Sequence, residues 1–228
     1  MKTGKILMEC EPARILRIPD GITHIDEGLM TDCEILEELH LPYSLVKIGP
    51  EAFSGCENLK YVYFNSSLEE IGDYAFQGCT SLEDVDLEGS LNWIGESAFE
   101  GCSKLERLHI WNGTDSKGCP YIMNICDLAF ARCSNLKYIE IGKRVEDWGD
   151  AVFLGCGMES FVCPDMVRPF VYIPDHMFLN CIELKNVVLP RNLTEIGEDA
   201  FRGCISLDHV IKKDEEWEEI DLDKFRIT

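Results

Sequence analysis

The segment Ile71-Gly-Asp-Tyr-Ala-Phe-Gln-Gly-Cys79-Thr-Ser-Leu82 recurs along the chain with little more than its polar positions changed. Ile48-Gly-Pro-Glu-Ala-Phe-Ser-Gly-Cys56-Glu-Asn-Leu59 stands 23 residues before it, and Ile94-Gly-Glu-Ser-Ala-Phe-Glu-Gly-Cys102-Ser-Lys-Leu105 stands 23 after. A further copy, Ile196-Gly-Glu-Asp-Ala-Phe-Arg-Gly-Cys204-Ile-Ser-Leu207, lies far along the chain. Nine cysteines mark the units, at 10, 33, 56, 79, 102, 133, 156, 181 and 204, with intervals of 23, 23, 23, 23, 31, 23, 25 and 23. A fixed period in this range signals a repeat architecture and is read before any local structure.

After the leucine that closes each unit, one apolar residue follows three positions on and another two further: Leu39 and Leu41, Val62 and Phe64, Val85 and Leu87, Leu108 and Ile110, Ile139 and Ile141, Val187 and Leu189. Alternation with period two predicts a short strand with one inward face. One such strand has no partner inside its own repeat, so it pairs in parallel with the equivalent strand of the next. At about 4.8 Å per strand, nine or ten coils form a rod or arc roughly 45 Å long. This is a solenoid, in which a coil buries its apolar side only against its neighbours. Leu45–Ile48 and Leu68–Ile71 predict a second short extended piece per coil. The Ala-Phe pair then predicts a single helical or 3₁₀ turn. Its phenylalanines, at 53, 76, 99, 130, 153, 178 and 201, stack into an aromatic spine. The glycine after each isoleucine, as at Gly49 and Gly72, allows a turn that a Cβ would hinder.

The chain reads as one domain, 1–228. Eight extra residues between Cys102 and Cys133 carry turn chemistry, predicting a loop at about 112–120. Between Cys156 and Cys181 the repeat is degenerate, with Cys163 in a strand-core position. Residues 211–228 read as a half-repeat cap, because Trp217-Glu-Glu-Ile-Asp-Leu-Asp-Lys-Phe225 overlays Leu68-Glu-Glu-Ile-Gly-Asp-Tyr-Ala-Phe76.

Together the motifs L-x-x-V-x-L-P and L-x-x-I-G-x-x-A-F-x-G-C resemble the BspA-type leucine-rich repeat, over about residues 5–226. The resemblance implies a horseshoe-like, strand-rich α/β leucine-rich-repeat solenoid, with a parallel sheet on one face and short turns or 3₁₀ segments on the other. It further implies a host-associated bacterial or protozoan setting, and a surface or secreted protein that adheres to host matrix proteins or to other bacteria. The stretch Met1–Cys10 lacks the apolar core of an export signal, which by itself points to the cytoplasm and departs from the surface-protein pattern.

Charge narrows the partners. Forty-two acidic residues against 21 basic ones give −21, which disfavours nucleic acid and anionic lipid and favours a protein with a basic patch. No run of 18 apolar residues exists to insert into a membrane. The cysteines form no C-x-x-C pair or zinc-type spacing, and parallel Cβ vectors keep stacked sulfurs from the disulfide dihedral. They read as a ladder of buried, reduced thiols. Outside the ladder are Cys163, Cys119 in the insertion and Cys126, which stands where glycine normally does. No nucleophile elbow, phosphate loop or metalloprotease motif occurs, so no catalytic, cofactor-binding or metal-binding residue and no cofactor are expected. His40 and His109 lie three repeats apart, about 14 Å, too far to share a metal. The sequons at Asn65, Asn112 and Asn192 arise easily by chance.

Outward strand positions give the best-grounded surface. His40, Tyr61, Tyr63, Asp84, Asp86, Arg107, His109 and Tyr138 flank inward residues, and Trp111 follows its strand. Tyr, Trp and Arg are favoured at interfaces. These nine are the expected partner-binding residues of an interaction or adhesion module without catalysis. Two alternatives stand beside this: cross-strand aromatic neighbours that merely stabilise an exposed sheet, and a spacer segment of a larger surface protein.

Overall fold

The computed structural model describes residues 5–9, 11–112, 123–142, 145–164, 171–212 and 218–219. Cys10, the insertion with Cys119, and Phe225 lie outside these residues, as does most of the proposed cap.

The L-x-x-V-x-L segments form one face of a parallel solenoid. Their strands pair coil to coil in three groups. Ile15–Arg17, Glu38–His40 and Tyr61–Tyr63 form the first, and Asp84–Gly89, Arg107–Asn112 and Tyr138–Ile141 the second. Ser160–Val162, Asn186–Leu189 and His209–Lys212 form the third. Register follows the repeat, so Leu39 pairs with Val62 and Leu108 with Ile139. Val85, Leu87, Leu108, Ile110, Val187 and Leu189 are buried, as the alternation requires.

The second extended piece forms its own sheet. Seven strands, Lys5–Leu7, Ile22–Ile25, Lys47–Ile48, Glu70–Ile71, Trp93–Ile94, Met123–Ile125 and Val145–Trp148, pair in parallel and in chain order. Val171–Ile173 and Leu193–Ile196 form a separate pair.

No helix forms among the described residues, although a helical or 3₁₀ turn is expected at Ala-Phe. Contacts from i to i−3 are present, as in Ser54 N–H to Glu51 O (3.1 Å) and Cys56 N–H to Phe53 O (3.3 Å). Glu51 and Gly55, however, take φ of 53° and 70°, and this left-handed conformation recurs in later coils at Tyr74, Ser97 and Gly78. The path therefore cannot propagate as a right-handed helix. Instead the N–H groups of Glu51, Phe53 and Gly55 donate to Asp73, Ala75 and Gln77 of the next coil at 2.8, 2.8 and 2.7 Å. The turn is thus a third coil-to-coil ladder. It supplies partners for buried backbone groups that a lone turn would leave unpaired.

Inside these walls the phenylalanines stack as expected. Centroids from Phe53 to Phe201 are 5.4, 5.2, 5.3, 6.0, 6.1 and 5.4 Å apart, and each pair is nearly coplanar. The eight-residue insertion leaves the Phe99–Phe130 step intact. All ten described cysteines are free. In the ladder, Cys79 Sγ donates to Phe53 O and Cys102 Sγ to Phe76 O, each at 3.3 Å. Burial raises these two thiols well above the ordinary range. Cys163 is buried in register with Leu189, its N–H bonded to Val188 O.

The glycine after isoleucine is needed for room, not for a special turn. A Cβ on Gly49 would lie 2.7 Å from Ile25 O, and one on Gly95 2.5 Å from Asp73 N. At the C-terminal end, Glu218–Glu219 pairs antiparallel with Ile211 and Lys212. The antiparallel segment covers the edge of the last strand, which would otherwise present unpaired backbone groups.

Candidate functional site

All nine expected partner-binding residues sit on the outward side of the first face. Tyr61 is 37% exposed, Tyr63 50%, Trp111 51% and Tyr138 66%, too much surface for residues whose role is confined to the core. Trp111 lies within its strand, opposite Glu88, and does not follow it. The residues do not form one uninterrupted patch. Strand pairing is interrupted between Tyr61–Tyr63 and Asp84–Gly89, where Glu83 N–H to Lys60 O (3.4 Å) and Ser90 N–H to Ser66 O (3.1 Å) bridge the two ends, and again between Tyr138–Ile141 and Ser160–Val162.

Each break coincides with a recess. The first, of about 310 Å³, is lined by Tyr43, Tyr63, Phe64, Asn65, Asp86 and Glu88, among others. The second, of about 450 Å³, is lined by Arg107, His109, Lys137, Tyr138, Glu140 and Val162, among others. Aromatic and charged side chains thus border openings on both sides of the central three-stranded unit.

Charges on this face pair from coil to coil. Arg107 Nη2 donates to Asp84 at 2.6 Å, and this bond raises the guanidinium pKa further. Asp84 Oδ1 is buried and has no hydrogen-bond donor among the described residues. Lys60 meets Glu83 at 3.1 Å and sits 5.0 Å over the Tyr61 ring; its hydrogen bonds, Tyr61 first and then Glu83, raise its pKa. His40 stacks on Tyr63 at 4.4 Å. His109 contacts Asp86 at 3.0 Å, faces Glu140 at 3.8 Å, and lies 5.7 Å from Trp111. Such exposed, solvent-screened pairs add little to stability, so they orient side chains more than they stabilise the fold.

Two features escape the sequence reading. Donor atoms of Asp86, Glu88 and His109 lie within 4.8 Å of one another, a grouping that the His40–His109 distance does not address. The second is a larger recess, of about 660 Å³, on the second sheet, where Trp93, Trp148 and Tyr172 stand among Asp73, Asp127 and Asp150. Several of these acids have backbone roles. Asp73 accepts Glu96 N–H at 2.9 Å and Asp127 accepts Asp150 N–H at 2.8 Å. Burial, with Asp127 and Asp175 nearby, raises the Asp150 pKa. Cys126 lines this recess half-buried, its thiol pushed up by burial to about 11. The trio and the recess depend on which side chains converge across coils, and only the outward position of Asp86 and His109 could have hinted at the former. The Asn65 sequon is buried, its residue only 6% exposed.

Parallel coils of about 23 residues, each giving one L-x-x-V-x-L strand, a second short strand and a phenylalanine turn, define a leucine-rich-repeat protein. The chain belongs to the family described as BspA type Leucine rich repeat region, which matches residues 5–118 and 120–226. Among solved structures it is similar to the T. pallidum leucine-rich repeat protein, with 22% identity and a TM-score of 0.57 over 89% of this chain and 82% of that one. It is also similar to the pneumococcal vaccine antigen PcpA, with 22% identity and a TM-score of 0.59 over 91% of this chain. The match spans 60% of PcpA. These likenesses are of fold. No curated protein matches the chain. No helix among the described residues is long and apolar enough to cross a membrane.

Proposed function

We propose that this chain is a protein-binding or adhesion module, without catalysis, whose partner surface is the outward side of Tyr61–Tyr63, Asp84–Gly89, Arg107–Asn112 and Tyr138–Ile141. The observation that carries the reading is the set of four exposed aromatics on one face, Tyr61, Tyr63, Trp111 and Tyr138, of which Tyr63 and Tyr138 line recesses. Large aromatics beside a desolvatable hollow are the usual anchors of an interface. Net charge of −21 selects partners with a basic surface. Host matrix proteins and bacterial surface proteins are the classes to test, and membership of the BspA-type family supports a surface or secreted location.

A spacer role is the second reading. His40 stacked on Tyr63 and Lys60 over Tyr61 favour it, because these aromatics already have partners within the face. The test is an array of host matrix and bacterial surface proteins probed with wild-type protein and with Tyr63→Ala/Arg107→Ala/Trp111→Ala. The proposal expects saturable binding that falls with added salt and is lost in the triple variant at unchanged melting temperature. Binding unaltered in a folded triple variant removes this face, and no binding across the array supports the spacer.

A further inference from the structure

Asp86 and Glu88 are two residues apart on the strand Asp84–Gly89, so both project from the same side of the sheet. His109, on the adjacent strand Arg107–Asn112, is in register with Asp86 and projects from that side as well. One donor atom from each lies within 4.8 Å of the other two, and His109 Nδ1 is already 3.0 Å from Asp86 Oδ1. We propose that Asp86, Glu88 and His109 form a binding site for a divalent transition-metal ion of the zinc class.

The donor set fits that chemistry. One imidazole nitrogen and two carboxylate oxygens suit a borderline cation, with bonds of about 2.0–2.2 Å and neighbouring ligands about 3.3–3.5 Å apart. Asp86 and Glu88 are exposed and His109 is half-exposed, so small side-chain rotations close the remaining distance without moving the strands. Hydrogen-bonded pairing of the two strands holds the three Cα positions. Glu140, on the far strand, faces His109 Nε2 at 3.8 Å. A carboxylate on that side orients a ligating imidazole and favours the tautomer that leaves Nδ1 free for the metal. Three protein ligands leave a fourth position open.

Asn65, only 6% exposed, walls the recess that Asp86 and Glu88 also line. The site goes beyond the proposed partner face, because metal uptake needs no protein partner.

The test is calorimetric titration of the reduced, chelator-treated full chain with ZnCl2 alone, followed by the same titration with Co2+ read by absorbance. Wild type is expected to bind one equivalent. His109→Ala and Glu88→Gln should each weaken binding at least about 10-fold, the lower end of what losing even an outer-shell partner costs. His24→Ala, on the second sheet and outside the trio, should bind as wild type. Melting temperatures of the three variants report whether each is folded. The Co2+ complex should lack a thiolate charge-transfer band, and Trp111→Phe should remove most of the fluorescence change on Ni2+ addition. Absence of saturable binding in wild type overturns the proposal. So does zinc binding unchanged in a folded His109→Ala variant, or a thiolate band that moves the metal to the cysteines.

Discussion

Replacing Phe99 by alanine tests the stacked spine directly. The Phe99 side chain is fully buried, with Phe76 and Phe130 stacked on its two sides at 5.2 and 5.3 Å. Burying such a side chain is worth about 1.5–3 kcal/mol, and each aromatic pair adds about 0.5–1.5 kcal/mol beyond area. With Phe64 edge-on at 6.5 Å as a third ring contact, these contributions sum to about 3–7.5 kcal/mol, and the lower part, about 3–5 kcal/mol, is the range measured for Phe→Ala in cores and the loss expected here. Phe53 is the internal control. It is just as buried, but it stacks on one ring only, Phe76 at 5.4 Å, and the equivalent position of the preceding coil is Met30. The burial contribution then cancels in the comparison; Phe99 also meets Phe64 edge-on at 6.5 Å, so Phe53→Ala should cost less than Phe99→Ala by about two aromatic pairs, roughly 1–3 kcal/mol. Urea melts followed by both far-UV circular dichroism and tryptophan fluorescence give the two values and show whether the array unfolds in one step. Equal losses at the two sites, or a loss below about 1 kcal/mol at Phe99, would refute the additive stack.

The thiols of Cys56 and Cys204, raised by burial to about 12 and about 11 from an ordinary 9.0, make stability alkali-sensitive. The folded state holds these protons longer than the unfolded one, so stability is intact below about pH 9 and falls as pH rises toward 11–12; Cys56→Ala/Cys204→Ala should flatten that slope in melts across pH 8–11. Alkylation without reductant should label most of the twelve thiols in denaturant, while native protein reacts slowly at the buried ladder; resistance in denaturant until reductant is added would reveal disulfides. Gly72→Ala should destabilise by about 1–3 kcal/mol in urea melts, because its Cβ would lie 2.7 Å from Pro50 N, where backbone cannot yield cheaply.

Period and alternation made most of the fold legible, because in a solenoid each position repeats its environment coil after coil. Cysteines 23 residues apart had to stack, and phenylalanines three before them had to stack as well. The turn was harder to read. Residues such as Glu51, Tyr74 and Ser97 carry no signature of left-handed backbone, unlike glycine. Their conformation is set by the next coil, whose carbonyls accept the N–H groups of the turn. Local propensity pointed to a 3₁₀ turn, and the cross-coil ladder overrode it. The glycine after isoleucine was correctly singled out for its missing Cβ, but the obstacle is the neighbouring coil rather than its own dihedral angles.

The candidate site was legible only as a list of outward residues. Alternation says which side a residue takes, and Tyr61, Tyr63, Arg107 and Tyr138 stand exposed on the expected side, whereas Trp111, expected after its strand, lies within it. Alternation does not say where the ladder between coils opens. Both openings fall beside aromatic side chains: Tyr63 at the first and Tyr138 at the second. Nor does alternation show which outward side chains converge. Asp84 and Asp86 have the same character in sequence, yet Asp84 is committed to Arg107 while Asp86 faces His109 and shares its recess with Glu88. One acid is held by Arg107, and the other stands 66% exposed beside His109. A repeat protein distinguishes its coils in this way, by varying the few outward positions while the inward ones keep the stack in register.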